Sequence, residues 1–117
     1  MTKIHEYLVV SNVKKPIDGK MVRLLARLFR HVARRIRVHA SQSKASGVGL
    51  SADSVRSVAS DALSNAMTVE HIDQKEFPAS VSVFLEPDRS ILWVTVTCND
   101  YALVSAWRPG RTLVNTP

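Results

Sequence analysis

The pattern of apolar positions in the first half of the chain predicts a strand, a long helix and a linker. Residues 4–10 are apolar and rich in β-branched and aromatic side chains, which predicts an edge strand before turn-forming residues 14–19. From Lys20 to about Ala40, apolar residues recur at spacings of three and four, which predicts an amphipathic helix with Asp18 as its N-cap. Residues 41–49 are mostly small or polar, which favours a linker or a poorly formed turn of helix.

The second half of the chain begins with a helical pattern and then changes to the period of a strand. Ser51 is a good N-cap, and apolar residues from Ala52 to Ala66 recur at helical spacing. Strands are then predicted over residues 81–85, 91–98 and 101–107, separated by turns at 87–90 and 99–100. This order of elements predicts an antiparallel meander at the C-terminal end.

These elements predict an α+β fold in which two helices pack on a three- to four-stranded antiparallel sheet. The 117 residues, 45% of them hydrophobic, are enough for one domain with one core, so residues 1–117 are treated as a single domain. If Cys98 pairs with Tyr101 across the last turn, the meander has one core face and one outer face. The outer face would carry Phe84, Trp93 and Val104, three candidate interface residues.

The net charge of +6 is distributed unevenly along the chain. Residues 1–50 contain eleven Lys and Arg against two acids, whereas residues 51–117 contain five against eight acids. The basic half holds the predicted strand and first helix, and the mildly acidic half holds the second helix and the meander. Such polarity favours a polyanionic partner or self-association between oppositely charged halves.

The strongest candidate site is a row of cations on the first predicted helix. Neighbouring members of the row are three or four residues apart, so we expect them about 5–6 Å from each other on one face, where like charges repel. Arginines in such a row can pair with successive phosphates. A solvated helix face is the alternative interpretation. The row and one additional arginine of the same helix are Lys20, Arg23, Arg27, Arg30, Arg34, Arg37 and Arg35.

A second candidate site lies in residues 45–58, which resemble the helix-turn-helix pattern of DNA-binding proteins. Lys44 and Gly47 depart from that pattern, which prefers an apolar residue and a helix former at these positions. The resemblance implies that residues of the second helix face the major groove and that the 80–98 hairpin acts as a wing. The matching positions are Ala45, Gly49, Leu50, Val55 and Val58. The implied groove contacts are Ser54, Arg56, Ser57 and Ser60.

Neither enzymatic nor metal-binding motifs are apparent. The four histidines have no close metal-ligand spacing among themselves or with Cys98, and no phosphate-loop or nucleophile-elbow string occurs. We therefore expect no enzymatic activity, no cofactor and no metal. The single cysteine rules out an intrachain disulfide, and the absence of a long apolar run predicts no transmembrane segment, so we expect a cytoplasmic protein.

These observations lead to one preferred hypothesis and two alternatives. The preferred hypothesis is a non-catalytic protein that binds nucleic acid through the basic helix, possessing helix-turn-helix-like features. The first alternative is a structural subunit of a larger homo-oligomer, such as a phage-type head-tail connector or tail ring, which would place it within a virion. The second alternative is a small inhibitor that docks on an acidic protein surface.

Overall fold

The computed structural model describes residues 1–88 and 90–109 and confirms the predicted α+β architecture. Two helices lie on one face of a four-stranded antiparallel sheet with the strand order β1-β4-β3-β2. Arg89, in the turn predicted before the third strand, lies outside the described residues. The elements in chain order are β1 (Thr2–Val10), α1 (Gly19–Ser46), α2 (Ala52–Val69), β2 (Ala79–Leu85), β3 (Leu92–Cys98) and β4 (Tyr101–Arg108).

The first helix is longer than its apolar pattern predicts. It begins after Asp18, whose carboxylate accepts hydrogen bonds from the amides of Lys20 and Met21, as expected of an N-cap. It continues to Ser46, so of the two predictions for this stretch, a linker or a poorly formed turn of helix, residues 41–46 follow the helical one and form a regular extension of α1. Gly47 then ends the helix with a φ of 74°, a left-handed conformation that glycine adopts without strain. Residues 41–46 are mostly polar or small, so they lack the apolar spacing that would indicate a helix.

The strand register pairs the first strand of the chain with the last. β1 pairs with β4, so the predicted edge strand lies at the edge beside the end of the meander. A β-bulge interrupts this pairing between Lys3 and His5. Cys98 lies opposite Tyr101 across the last turn, as predicted, and Asn99 in that turn has a φ of 51°, a conformation that asparagine tolerates better than most residues.

Helix α1 covers the sheet face formed by alternate residues of β3 and β4, and α2 covers the same face at β2. Trp107 is the largest fully buried side chain, and its indole Nε1 donates a 2.8 Å hydrogen bond to the hydroxyl of Ser105. That hydroxyl donates in turn to the carbonyl oxygen of Val94 at 2.9 Å. The chain of two hydrogen bonds satisfies the polar groups of an otherwise apolar core. It also joins β3 to β4 through side chains.

We predict that Ser105→Ala lowers the free energy of unfolding by about 1–3 kcal/mol, because it leaves the buried indole N–H of Trp107 without its acceptor. Ser82→Ala, on the exposed outer side of β2, is the matched control and should change stability by less than about 0.5 kcal/mol. Urea unfolding followed by tryptophan fluorescence measures both. Equal stability of the two variants would contradict the assigned role of Ser105.

Candidate polyanion-binding surface

The cations of α1 form a continuous exposed row on the side of the helix away from the core. All seven candidate residues of this helix are exposed, whereas its apolar residues are buried against the sheet and α2. From Lys20 to Arg37 the row extends about 26 Å along the helix axis at 1.5 Å per residue. We call it the basic stripe, consisting of Lys20, Arg23, Arg27, Arg30, Arg34 and Arg37.

Within the described residues, one carboxylate lies within 4 Å of a cation of the basic stripe. Glu70, the C-cap residue of α2, places a carboxylate oxygen 3.8 Å from Nε of Arg27 and the other 3.3 Å from Nε2 of His31. The other five stripe cations have no such partner in the part of the chain that is described. The stripe is therefore largely uncompensated.

One side of the basic stripe borders a groove of about 610 Å³ between α1 and β1. Side chains of Ala26, Phe29 and Ala33 contribute apolar surface to it. Lys3 of β1 adds another cation, with Nζ 5.4 Å from the centre of the Phe29 ring and 2.8 Å from a carboxylate oxygen of Glu6. The cationic lining residues contributed by the stripe are Arg23, Arg27, Arg30 and Arg37.

The far end of this groove is held by a contact between a stripe residue and the core. The guanidinium carbon of Arg37 lies 5.2 Å from the centre of the Trp107 ring, a cation–π arrangement that restricts this long side chain. Arg35, in contrast, lies five residues and so about 140° around the helix from Arg30. It is exposed but stands apart from the groove.

Sequence reasoning missed three features of this surface. The position of Lys3 could not be inferred from a period of two in β1, because the β-bulge between Lys3 and His5 interrupts the alternation and turns Lys3 to the helix side. The apolar pattern of α1 did not indicate that Ala26, Phe29 and Ala33 border an open groove. Glu70 carried no local signal, because only the packing of α2 against α1 brings it to Arg27.

Two of the four groove contacts implied by the helix-turn-helix resemblance are engaged within the fold, and the other two, Ser57 and Ser60, are exposed. Ser54 forms a capping box with Ser51 and contacts Nε2 of His39 at 3.0 Å. Arg56 contacts the carboxylate of Asp53 and donates a 3.1 Å hydrogen bond to the carbonyl oxygen of Val83 in β2. Ser57 is exposed and makes none of these contacts. The helix before the turn is the end of the 28-residue α1, not a short separate helix.

The structure places Phe84, Trp93 and Val104 on the sheet face away from the helices. Phe84 lies directly opposite Trp93, whose indole N–H donates a 2.9 Å hydrogen bond to Glu86, and the Phe84 side chain is 61% exposed. β1 extends this face with aromatic residues that the meander alone did not reveal. Tyr7 lies opposite Val104, and its ring centre is 5.1 Å from that of His5.

Cys98 is unsuited to act as a nucleophile in the folded protein. Its side chain is fully buried, and this burial raises the pKa of the thiol, which keeps it protonated and unreactive. No group of three metal-ligating side chains is found over residues 1–88 and 90–109. Over the same ranges, no helix combines the length and apolar character that a membrane span requires.

No protein-family model matches this chain, and no curated protein or solved structure is significantly similar to it.

We predict that Cys98 reacts with a thiol reagent such as DTNB at least about 100-fold more slowly in the native protein than in denaturant, because reaction requires the core to open. A Val13→Cys variant supplies the control, since Val13 is 86% exposed. Its new thiol should react at the rate of a free cysteine. Native Cys98 reacting at that same rate would show that the core around β3 is not closed.

Proposed function

We propose that this protein is a non-catalytic nucleic-acid-binding protein that contacts the phosphate backbone through the basic stripe and the adjoining groove. The observation that carries the proposal is the exposed row of six cations, five of which have no carboxylate within 4 Å over the described ranges. Neutralising such a row with phosphates removes the repulsion between its members and releases counterions from the nucleic acid.

The position of α1 favours contacts with phosphates over insertion into a groove of DNA. The helix packs against α2 along its length and lies over β3 and β4, so only its outward side is accessible. A helix that reads bases in the major groove must project from its domain. Backbone contacts supply affinity without reading sequence. We therefore expect weak sequence preference and steep dependence on salt, in a compartment that contains nucleic acid such as the cytoplasm.

The proposal is tested by the salt dependence of DNA binding for two matched variants. If all six stripe cations contact duplex phosphates, the slope of log K against log salt is about −5. Arg30→Gln should make this slope shallower by about one and weaken binding several-fold, because Arg30 borders the groove. Arg35→Gln removes the same charge from the same helix on another side and should leave the slope unchanged. Fluorescence anisotropy with labelled single-stranded and duplex DNA measures both.

Equal effects of Arg30→Gln and Arg35→Gln would contradict a defined site on the stripe and indicate attraction by net charge alone. Affinity that does not change with salt would contradict phosphate contacts altogether. Binding to polyglutamate that is as tight as binding to DNA would instead support an acidic protein as partner.

A second prediction concerns the carboxylate that neutralises part of the stripe. Glu70→Gln frees Arg27 and removes one negative charge beside the bound phosphates, so DNA affinity should rise about twofold to tenfold at low salt. Asp61→Asn, at an exposed position of α2, removes an equal charge and serves as control, because Asp61 has no ion pair with the stripe within the described residues. If Glu70→Gln instead weakens DNA binding, Glu70 organises the site and does not compete with the phosphates for Arg27.

The second candidate function is a subunit of a homo-oligomeric assembly such as a phage connector or tail ring. The uncovered sheet face favours it, because Tyr7, Val9 and Phe84 are 41%, 41% and 61% exposed on that one side. Apolar surface gathered on one side is typical of an interface. Static light scattering without nucleic acid separates the two functions: a stable ring of three or more subunits supports assembly, whereas a smaller species that shifts only with DNA supports nucleic-acid binding.

A further inference from the structure

The two edges of the sheet differ in how their outward-facing backbone groups are satisfied. At the β2 edge, the amide of Glu86 donates to the carbonyl of Ile91 in the hairpin, which by the alternation of an antiparallel ladder turns the backbone of alternate residues of β2, from Ala79 to Leu85, outward. Side chains cover two of these four outward carbonyls. Gln74 donates to that of Ala79 at 3.0 Å, and Arg56 donates to that of Val83 at 3.1 Å.

The same alternation identifies the outward groups of β1, at the opposite edge. The amide of Ser11 donates a 2.8 Å hydrogen bond to the carbonyl of Asp100, the residue directly before β4. Counting back from Ser11 turns the amides and carbonyls of Glu6, Leu8 and Val10 away from β4. Over the described residues, no side chain is hydrogen-bonded to any of these backbone groups.

β1 also lacks most of the features that prevent sheet edges from pairing. Charged side chains, prolines and bulges usually protect an exposed edge. The bulge and Lys3 lie near the start of β1, and residues 7–10 contain neither a charge nor a proline. Tyr7 and Val9 are each 41% exposed there. The second half of β1 is therefore open to another strand.

We propose that two copies of this chain pair through their β1 edges in antiparallel orientation and form one continuous eight-stranded sheet. The register that uses all three outward residues places Leu8 opposite Leu8 of the second copy and Glu6 opposite Val10. Three such pairs, with two bonds each, supply about six backbone hydrogen bonds. On the outer face, this register places Tyr7 opposite Val9, an aromatic and β-branched pair of the kind that stabilises sheets.

The difference between the two sheet edges favours a second copy of this chain as the partner of β1. Head-to-tail pairing of β1 with β2 would have to displace Arg56 and Gln74 from the carbonyls they cover, whereas two-fold pairing uses the open edge twice. The five paired residues from Glu6 to Val10 are roughly 17 Å long, and the contact covers on the order of 350 Å² per copy, or about 700 Å² in total. This total area is below that of most specific interfaces and is typical of weak, transient ones. We therefore expect reversible association at micromolar concentrations.

Pairing through β1 would also bring the two candidate ligand sites together. Each basic groove lies between α1 and β1, so the two-fold axis at Leu8 places the grooves of both copies side by side on one face of the joined sheet. Repulsion between the two stripes weakens the dimer at low salt. A polyanion that spans both grooves relieves that repulsion. The dimer itself does not depend on the proposed function.

The proposal is tested by sedimentation equilibrium from about 1 to 200 µM in 0.15 M salt without nucleic acid. The wild type should approach twice the 13.0 kDa mass of the chain. Glu6→Pro removes one outward N–H from each copy at an edge position where proline is tolerated, and should weaken association at least tenfold. Glu6→Thr loses the same carboxylate but keeps the N–H and should associate like the wild type. Circular dichroism and urea unfolding confirm that each variant is folded.

If Glu6→Pro proves unfolded, Val9→Lys serves in its place, because it adds a charge beside the same edge without touching the ladder to β4. Phe84→Glu adds a charge to the outer face far from β1 and should leave the dimer intact. A wild type that stays monomeric to 200 µM would overturn the proposal. A dimer lost in Phe84→Glu but kept in Glu6→Pro and Val9→Lys, or a species larger than a dimer, would overturn it too.

The register is tested by cross-linking under mild oxidation. Residues facing each other as a hydrogen-bonded pair have Cα atoms about 5.5 Å apart, within the range of a disulfide. Leu8→Cys should therefore form a covalent dimer, whereas Ser82→Cys, exposed on β2, should not. The native Cys98 is buried and does not interfere. Equal cross-linking of both variants would exclude the proposed register.

Discussion

The fold depends on the burial of one side of α1 against β3 and β4. The residues that interdigitate there, among them Phe29, Ile36 and Trp107, are essentially inaccessible to solvent. At about 25 cal/mol per Å², burial of such large side chains is the dominant favourable contribution to a core of this size. The hydrogen bonds from Trp107 to Ser105 and from Ser105 to Val94 satisfy the indole N–H and the hydroxyl that are buried in that core. Because the apolar side of α1 is committed to the sheet, its cationic side must face solvent.

This constraint explains why the charge of the molecule is segregated. A helix with 3.6 residues per turn that buries one side presents the residues between its buried positions on the other. Between positions 20 and 37 of α1 every exposed residue is cationic, and the C-cap of α2 contributes one carboxylate, Glu70, to the boundary. The groove beside β1 follows from the same packing, because α1 lies over β3 and β4 and leaves the helix side of β1 only partly covered.

The two sheet edges show how packing decides between closed and open surfaces. α2 and the segment after it lie beside β2, so Arg56 and Gln74 reach two of its outward carbonyls. Among the residues that the structure describes, no side chain reaches the outward backbone groups in the second half of β1. The sequence of β1 contains apolar residues on its outer side as well as its inner side, which a strand exposed on both the edge and the outer face would ordinarily avoid.

The sequence alone determined the types of the elements, the meander and the basic stripe. The hydrophobic period, the capping residues and the turn residues that indicate them each depend on interactions between near neighbours in the chain. The conformation of residues 41–46 stayed open between a linker and a turn of helix, since packing of Ala40 and Ser43 against the core outweighs weak local preference. Only the tertiary structure decided that Glu70 meets Arg27, that Lys3 borders the groove and that Arg56 covers β2. Each of these contacts joins residues distant in the chain, and their distances follow from how helices and sheet pack, which no local pattern encodes.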